Sequence, residues 1–443
     1  MTELRLLDLR EEVPEPPESL LALPDLHRRI RVRREWRRSR ALLAIVLATA
    51  GIIFAVTRIG PTSTPPLALA QPRDGLIVFA EYSPGPDKYL PNMALYTATP
   101  AGTEVRQLTA TSGRIGALTA SLNGRKIAYD AETYQPSKDL HVTGDYVHVM
   151  DANGSDNRTV YRCPQSYCGS LAWSPDGARL LINGDTVLEP DGHVTMLCNG
   201  GCSNGDDPLS DASWSPDGKQ LAFEDAVTVQ LSGGTSTVPA IGTADADGTH
   251  VRLLTDRQCT AASRASCTYD SSPVWSTSGD EIAFSRMKPN FLPLGGNQGF
   301  GPYGPTGLYT MRSDGTAITE VRSCGDHCRI SSIEWAPDGR RLAFVSTADP
   351  VIGNASQSTA GIADLVTGSV DVLQVPTDVS EPDYDGLTPA VAWAPSGRRL
   401  MLISHAPGRP ASLYILPVRH ATLGAQILVR KNVHPPLTWL PSK

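Results

Sequence analysis

The sequence predicts an all-β protein, a β-propeller of seven four-stranded blades preceded by one transmembrane helix. Three observations predict it. A phrase of about a dozen residues built on Trp recurs along the chain, from "LAWSPDGARLLI" (171–182) to "VAWAPSGRRLML" (391–402). Gly (39) and Pro (36) make up about a sixth of the 443 residues and aromatics only 6%, which suits short strands and tight turns. The chain also closes on half of its own phrase, "PLTWLP" (436–441), while the other half, "DGLIVF", stands at 74–79.

The elements follow in order. Residues 1–40 hold ten Arg and eight acids, and eight of those Arg crowd into "HRRIRVRREWRRSR" (27–40). Residues 41–57, "ALLAIVLATAGIIFAVT", carry no charge. As a helix they span roughly 26 Å, near the lower limit for a bilayer core of about 30 Å. The Arg cluster before them, against the single Arg58 after, sets the N-terminus inside and the rest outside the cytoplasmic membrane. The alternative is a secreted chain cleaved near Ala70, where "ALA" (68–70) resembles a cleavage site. Residues 58–72, "RIGPTSTPPLALAQP", read as a Pro-rich tether, and 73–443 as the propeller. The tail 1–40 orients the anchor and touches anionic lipid; the alternative is a site for a cytoplasmic regulator.

Residues 61–443 hold 28 Lys and Arg against 38 Asp and Glu, a net −10. That excludes nucleic acid as a partner, since its phosphates need a basic footprint. Within this body the phrase returns as "ASWSPDGKQLAF" (212–223), "PVWSTSGDEIAF" (273–284) and "IEWAPDGRRLAF" (333–344), with a worn copy "LTASLNGRKIAY" at 118–129. Trp173, Trp214, Trp275, Trp335, Trp393 and Trp439 mark the repeats and belong in the core. A strand A ends at each Trp. Ser-Pro-Asp-Gly then turns the chain, because Pro presets φ, Asp caps nearby backbone and Gly takes positive φ. Strand B alternates, with Leu342 and Phe344 against Ala343 and Val345. Strands C and D flank an Asx-x-Asx-Gly hairpin, as in "IGTADADGTHVRLLT" (241–255). "DANGSDN" (151–157) reads as the same hairpin rather than a calcium loop. Four strands per 40-odd residues make a propeller blade.

The "WSPDG-x2-LAF" phrase followed by a D-x-D-G turn and "LT" resembles the TolB-type propeller repeats, relatives of the WD-repeat propellers. The resemblance spans about 370 residues and implies the fold. The α/β domain that precedes the propeller in TolB has no counterpart here.

Joining the ends gives seven blades: the C-terminal "LTWLP" supplies strand A of a blade whose strand B is "LIVFAEY" (76–82). Six is the alternative if the worn copy is not a blade. Strands alternate in direction, so A–B and C–D turns share one face, and B–C and D–A connections share the other. The second face collects the insertions 81–92, 131–144, 286–307 and 347–358. Binding on a rigid scaffold concentrates in such loops. The 286–307 segment, with Phe291, Asn297, Phe300 and Tyr303, is the candidate contact loop; the competing reading packs it on its own blade.

The eight cysteines pair locally as Cys163/Cys168, Cys198/Cys202, Cys259/Cys267 and Cys324/Cys328, each in a D–A connection. Even count, local pairing and the exterior location predict disulfides that stiffen that face. Zinc on "CGDHC" (324–328) is the rival, but no second CxxC completes it. No cofactor, metal or catalytic residue is expected. No G-x-S-x-G elbow occurs, and His141 and His148 are the nearest thing to a histidine pair. The expected function is therefore a membrane-tethered, extracytoplasmic, non-enzymatic module that binds a protein or envelope polymer. The alternatives are a transmembrane sensor whose tail binds a regulator, and a propeller hydrolase or lyase acting on envelope polymers. The sequence assigns no oligomeric state.

Overall fold

A computed structural model describes residues 74–442, except 83–91, 112, 135–141, 165–167, 198–209, 232–233, 256–267, 289–303, 327, 349–355, 380–389 and 405–410. The tail, the apolar segment 41–57 and the tether fall outside the described residues. Among the described residues no helix is long and apolar enough to cross a membrane.

Five sheets are separate four-stranded antiparallel blades, covering 118–162, 171–196, 210–253, 269–325 and 328–379. The worn copy at 118–129 opens the first of these, so it is a true blade. The remaining strands form one continuous sheet of two blades. Its hinge is the 14-residue strand Ile427–Leu440. The early part of this strand pairs with Ala411–Arg419, from Ile415↔Ile427 to Ala411↔Val433, and so ends the blade that begins at Ala390. Its later part pairs with Leu76–Tyr82, from Glu81↔Val433 to Leu76↔Leu440, and so begins the blade completed by Met93–Ala98 and Arg106–Thr111. The ring therefore has seven blades and closes between the two ends of the propeller, as the split phrase predicted.

Each B strand is buried on both faces, and its alternation sorts side chains between two neighbours. Leu342 and Phe344 pack toward the blade before, against Ala283 and Leu308. Ala343 and Val345 pack toward the blade after, against Val391, Trp393 and Leu402. All four are fully buried. The aromatic ring on B needs room on C. Gly361 and Gly242 stand opposite Phe344 and Phe223, and a Cβ at Gly361 would come within 2.3 Å of the Phe344 ring.

The repeated Trp ties one blade to the previous one. Its indole N–H donates to the carbonyl of the residue preceding the earlier Trp position. These are Trp214 to Ala172 (3.1 Å), Trp335 to Val274 (3.0 Å), Trp393 to Glu334 (3.3 Å) and Trp439 to Ala392 (3.1 Å). The bond at Trp439 crosses the closure, where Ile77, Phe79, Met401, Leu413 and Trp439 form one apolar cluster. Trp173 and Trp275 sit in the same register, but their indole nitrogens have no hydrogen-bond partner.

The Ser-Pro-Asp-Gly turns are built as the sequence implies. Ser174 Oγ donates to Asp176 Oδ1 (2.5 Å) and accepts from Arg179 N (2.9 Å), while Asp176 Oδ1 also caps Ala178 N (3.0 Å). Gly177 takes φ +71°. These bonds to the carboxylate hold Asp176 below the usual carboxylate range. The 151–157 turn is likewise a hairpin: Ser155 O accepts from Asp151 N (2.8 Å), and Asn153 Oδ1 caps Ser155 N (2.9 Å).

Two predictions follow from the closure and the indole bonds. Removing residues 436–443 deletes most of the inner strand of the closing blade and leaves Leu76–Phe79 as a sheet edge. The expected result is a large fall in thermal midpoint for the whole propeller; an unchanged melt would refute the closure. Trp335→Phe and Trp275→Phe remove similar apolar area, but only the first strands a carbonyl. Urea titration should find Trp335→Phe less stable than Trp275→Phe by about 1 kcal/mol.

Candidate functional site

The two faces of the ring differ in construction. On the turn face, every A–B and C–D connection among the described residues is short, the longest being 99–105. The opposite face carries the connections 83–92, 197–209, 254–268, 288–305 and 380–389. The connection at 183–185 is short, and in other blades the flanking strands run further than the insertions suggest. The clearest case is the hairpin Gln220–Leu231 and Gly234–Asp245, paired without a break from Gln220↔Asp245 to Leu231↔Gly234.

Beneath this loop face lie buried polar anchors. The strongest group is in the blade 118–162. Asp130, on Lys126–Tyr134, is 1% exposed, and Asp145, on Val142–Asp151, is fully buried. Asp130 Oδ1 accepts from Gly116 N (2.8 Å) and from Ala117 N, which fastens the connection arriving from the previous blade. Gly116 is required there, since a Cβ would stand 2.7 Å from Asp130 Oδ2. Asp145 Oδ2 accepts from Cys168 N (2.7 Å), and its backbone carbonyl accepts from Cys163 N (2.9 Å). Asp145 thus pins both ends of the Cys163–Cys168 disulfide. Asp145 Oδ1 has no hydrogen-bond partner among the described residues, and the two carboxyls act on each other through their charges. Burial, then the charge of Asp145, pushes Asp130 well above the usual carboxylate range.

Other blades use different anchors. Arg286, at the mouth of the 288–305 connection, grips the fully buried Asp270 through Nε–Oδ1 (2.6 Å) and Nη2–Oδ2 (2.7 Å). Its guanidinium also lies over the rings of Phe284 (5.2 Å) and Tyr309 (5.5 Å). A planar fork against a carboxylate, backed by aromatic faces, is a rigid mount. At the closure, Arg430 is paired to Glu81, with Nη2–Oε2 at 3.0 Å. Glu334, on the inner strand of its blade, accepts from Trp393 N of the next (2.6 Å), and burial lifts its carboxyl to about 8.

The sequence-predicted residues distribute as follows. Trp214, Trp275, Trp335, Trp393 and Trp439 are buried between blades, and Trp173 is half-buried. Cys163–Cys168 is a disulfide in a D–A connection, whereas Cys324–Cys328 joins strand D to strand A, because Thr319–Gly325 and Cys328–Trp335 run up to the turn. Cys198, Cys202, Cys259 and Cys267 lie outside the described residues, as do Phe291, Asn297, Phe300, Tyr303 and His141. His148 stacks on Tyr129 (5.0 Å) and meets Thr159 Oγ1 at 3.3 Å, so its ring serves packing. The aspartates 130 and 145 and the Asp270–Arg286 pair were not foreseen. Their signal was a charged residue breaking an apolar strand, as in "KIAYDAE" and "EIAFSRM".

Asp130 yields a pH prediction. An unfolded Asp releases its proton near pH 4. In the fold Asp130 keeps it to higher pH, so between those values the folded chain binds more protons and stability falls as pH rises. Asp130→Asn keeps an acceptor for Gly116 and Ala117 without titrating. The variant should match the native protein near pH 4 and exceed it in urea stability at pH 8. Parallel pH profiles would refute the assignment.

No protein-family model matches the chain, and no curated protein matches it. Solved structures do match. The tricorn protease aligns with 86% of this chain at 11% identity and a TM-score of 0.53. This chain spans 37% of that protein's length. TolB from Acinetobacter baumannii aligns with 80% of this chain and 66% of its own, at 14% identity and a TM-score of 0.41. Oligogalacturonate lyase from Vibrio parahaemolyticus aligns with 81% of this chain and 86% of its own, at 10% identity and a TM-score of 0.47. At these identities the likeness concerns the fold alone: the chain is a seven-bladed propeller, with TolB-type propellers among its structural neighbours.

Proposed function

We propose that the chain is a membrane-tethered binding module outside the cytoplasmic membrane that engages a protein or an envelope polymer on its loop face. The observation that carries this reading is the sorting of connections. Short, self-capped turns occupy one face, and the strand ends that lead into the long connections stand on the other, beside buried anchors such as Asp130, Asp145 and Asp270–Arg286. A scaffold that fixes the bases of its loops and varies their tips is built for recognition.

Two further features support the reading. The two disulfides among the described residues suit an oxidising compartment. Each closes a very short loop, a stabilisation of about 2 kcal/mol, so local stiffening of the loop face is the greater effect. The carboxyl pair Asp130–Asp145 belongs to a single blade and is shielded from solvent, which favours a structural over a catalytic role. The uncharged segment 41–57 serves as the anchor and the Pro-rich 58–72 as the tether.

Site-specific photo-cross-linking in native membranes tests this. A cross-linker at Tyr303 should capture a discrete partner, whereas one at Ala178 on the turn face should not. Replacing 289–303 with a short Gly-Ser linker should abolish the capture and leave the thermal midpoint within a few degrees. Capture from Ala178 alone, or capture that survives the replacement, would overturn the assignment of the binding face.

A further inference from the structure

The turn face carries a feature its short turns do not require. Between the blade 328–379 and the blade that begins at Ala390 lies an open groove of about 900 Å³, lined by Asp338, Arg340, Arg341, Asp364, Arg398 and Arg419 among others. Arg341 is its floor. It donates to Asp338 (2.7 Å), to His420 O (2.7 Å) and to Gly397 O (2.9 Å), and its guanidinium lies 4.8 Å from the Trp393 ring. Both acids are occupied: Asp338 by Arg341, and Asp364 by the N–H groups of Val366 and Thr367 in its own turn (2.9 Å each). Arg340, Arg398 and Arg419 are exposed along the walls. The groove is therefore cationic on a body whose net charge over 61–443 is −10. The repeat does not demand this. The turn positions held by Arg340–Arg341 and Arg398–Arg399 are Asp280–Glu281 and Lys219–Gln220 in other blades.

The place where the chain joins the ring gives the groove an occupant. Leu76–Tyr82 begins on the turn face, and Asp74 just before it is held by Arg399 Nη1 (2.7 Å), the residue next to Arg398. The 16 residues 58–73 separate Asp74 from the apolar segment 41–57. Pro-rich chain extends about 3.1 Å per residue, so that length reaches roughly 50 Å at most. To turn the loop face toward a membrane, it would have to pass the outer strand of a blade and then run the length of a strand. At about 4.8 Å between strands and about 3.3 Å per residue, that path uses most of its reach. The chain enters the ring on the turn face, beside the groove.

We propose that the turn face is membrane-proximal and that the Arg340–Arg398–Arg419 groove docks on anionic phospholipid headgroups. The proposal rests on the membrane-tether reading. Arg forks suit phosphate oxygens. Three such contacts are weak for a free protein but sufficient for one tethered at high effective concentration. Docking in this orientation points the loop face away from the membrane.

The full chain is reconstituted in nanodiscs of phosphatidylcholine alone or with a third phosphatidylglycerol, and amide hydrogen exchange is followed. Anionic lipid should slow exchange several-fold in 336–341, 394–399 and 417–423, without change at 269–275 or 343–347. High salt should reverse the effect, and Arg340→Glu/Arg398→Glu/Arg419→Glu should abolish it. If that variant does not fold, the three single Arg→Gln variants should each reduce it. Equal exchange in both lipids, or charge reversal without effect, overturns the proposal. A chain that fails to enter nanodiscs sinks the tether reading alone; the groove is then tested by co-sedimentation of the full chain with the same two lipids as vesicles. Binding of poly-glutamate without binding of phosphatidylglycerol vesicles would assign the groove to an acidic peptide and overturn the lipid assignment.

Discussion

The structure depends on one strand serving two blades. Ile427–Leu440 finishes one sheet and starts the next, with Val433 paired to Ala411 on one side and Glu81 on the other. A ring of sheets has an unpaired seam wherever the chain begins and ends, and a seam is a sheet edge exposed to other chains. Here the seam is covered by hydrogen bonds to the first strand, by the Trp439 indole bond to Ala392 and by the ion pairs Arg399–Asp74 and Arg430–Glu81. Every blade interface is then equivalent in kind, and no blade needs a capping structure.

Around the ring, specificity between neighbours comes from the same few devices. The alternation of strand B divides its side chains between two interfaces. The Trp indole measures the distance to the previous blade through a single backbone carbonyl. Arg179 and Arg341 lie over the Trp ring of the following blade and reach the carbonyl of its turn glycine, Gly218 and Gly397. Trp173 and Trp275 lack the indole bond, and each stands in a blade whose predecessor departs from the common pattern. Before Trp173 comes the blade with Ala120 in place of Trp, and before Trp275 the blade with the extended hairpin 220–245.

Most of the fold was legible because its determinants are local. Ser-Pro-Asp-Gly, the Trp before it and the half-phrases at the two ends all act within a few residues, and each reappears in the structure where it was expected. The cysteine pairs at 163/168 and 324/328 were legible for the same reason. The buried anchors were not. Asp130 and Asp145 lie fifteen positions apart and meet only through strand register, while Arg286 meets Asp270 as its direct cross-strand partner sixteen positions away. The basic groove was hidden further still, since Arg340 and Arg398 are brought together by adjacent blades of a closed ring. The hairpin 220–245 had a visible cue in the alternating "AVTV" before Gly233–Gly234, masked by the turn residues around it.

The position of the first strand has a mechanical consequence. Leu76–Tyr82 is not at a sheet margin; it is bonded along both sides, to Met93–Ala98 and to Ile427–Leu440. Tension arriving through the residues before Asp74 pulls along that strand's own axis. The hydrogen bonds on both sides then share the load at once, in shear, instead of breaking one after another from an edge. A chain attached at this point can be tugged hard without unzipping the ring, which suits a domain held to a moving surface by a single polypeptide thread.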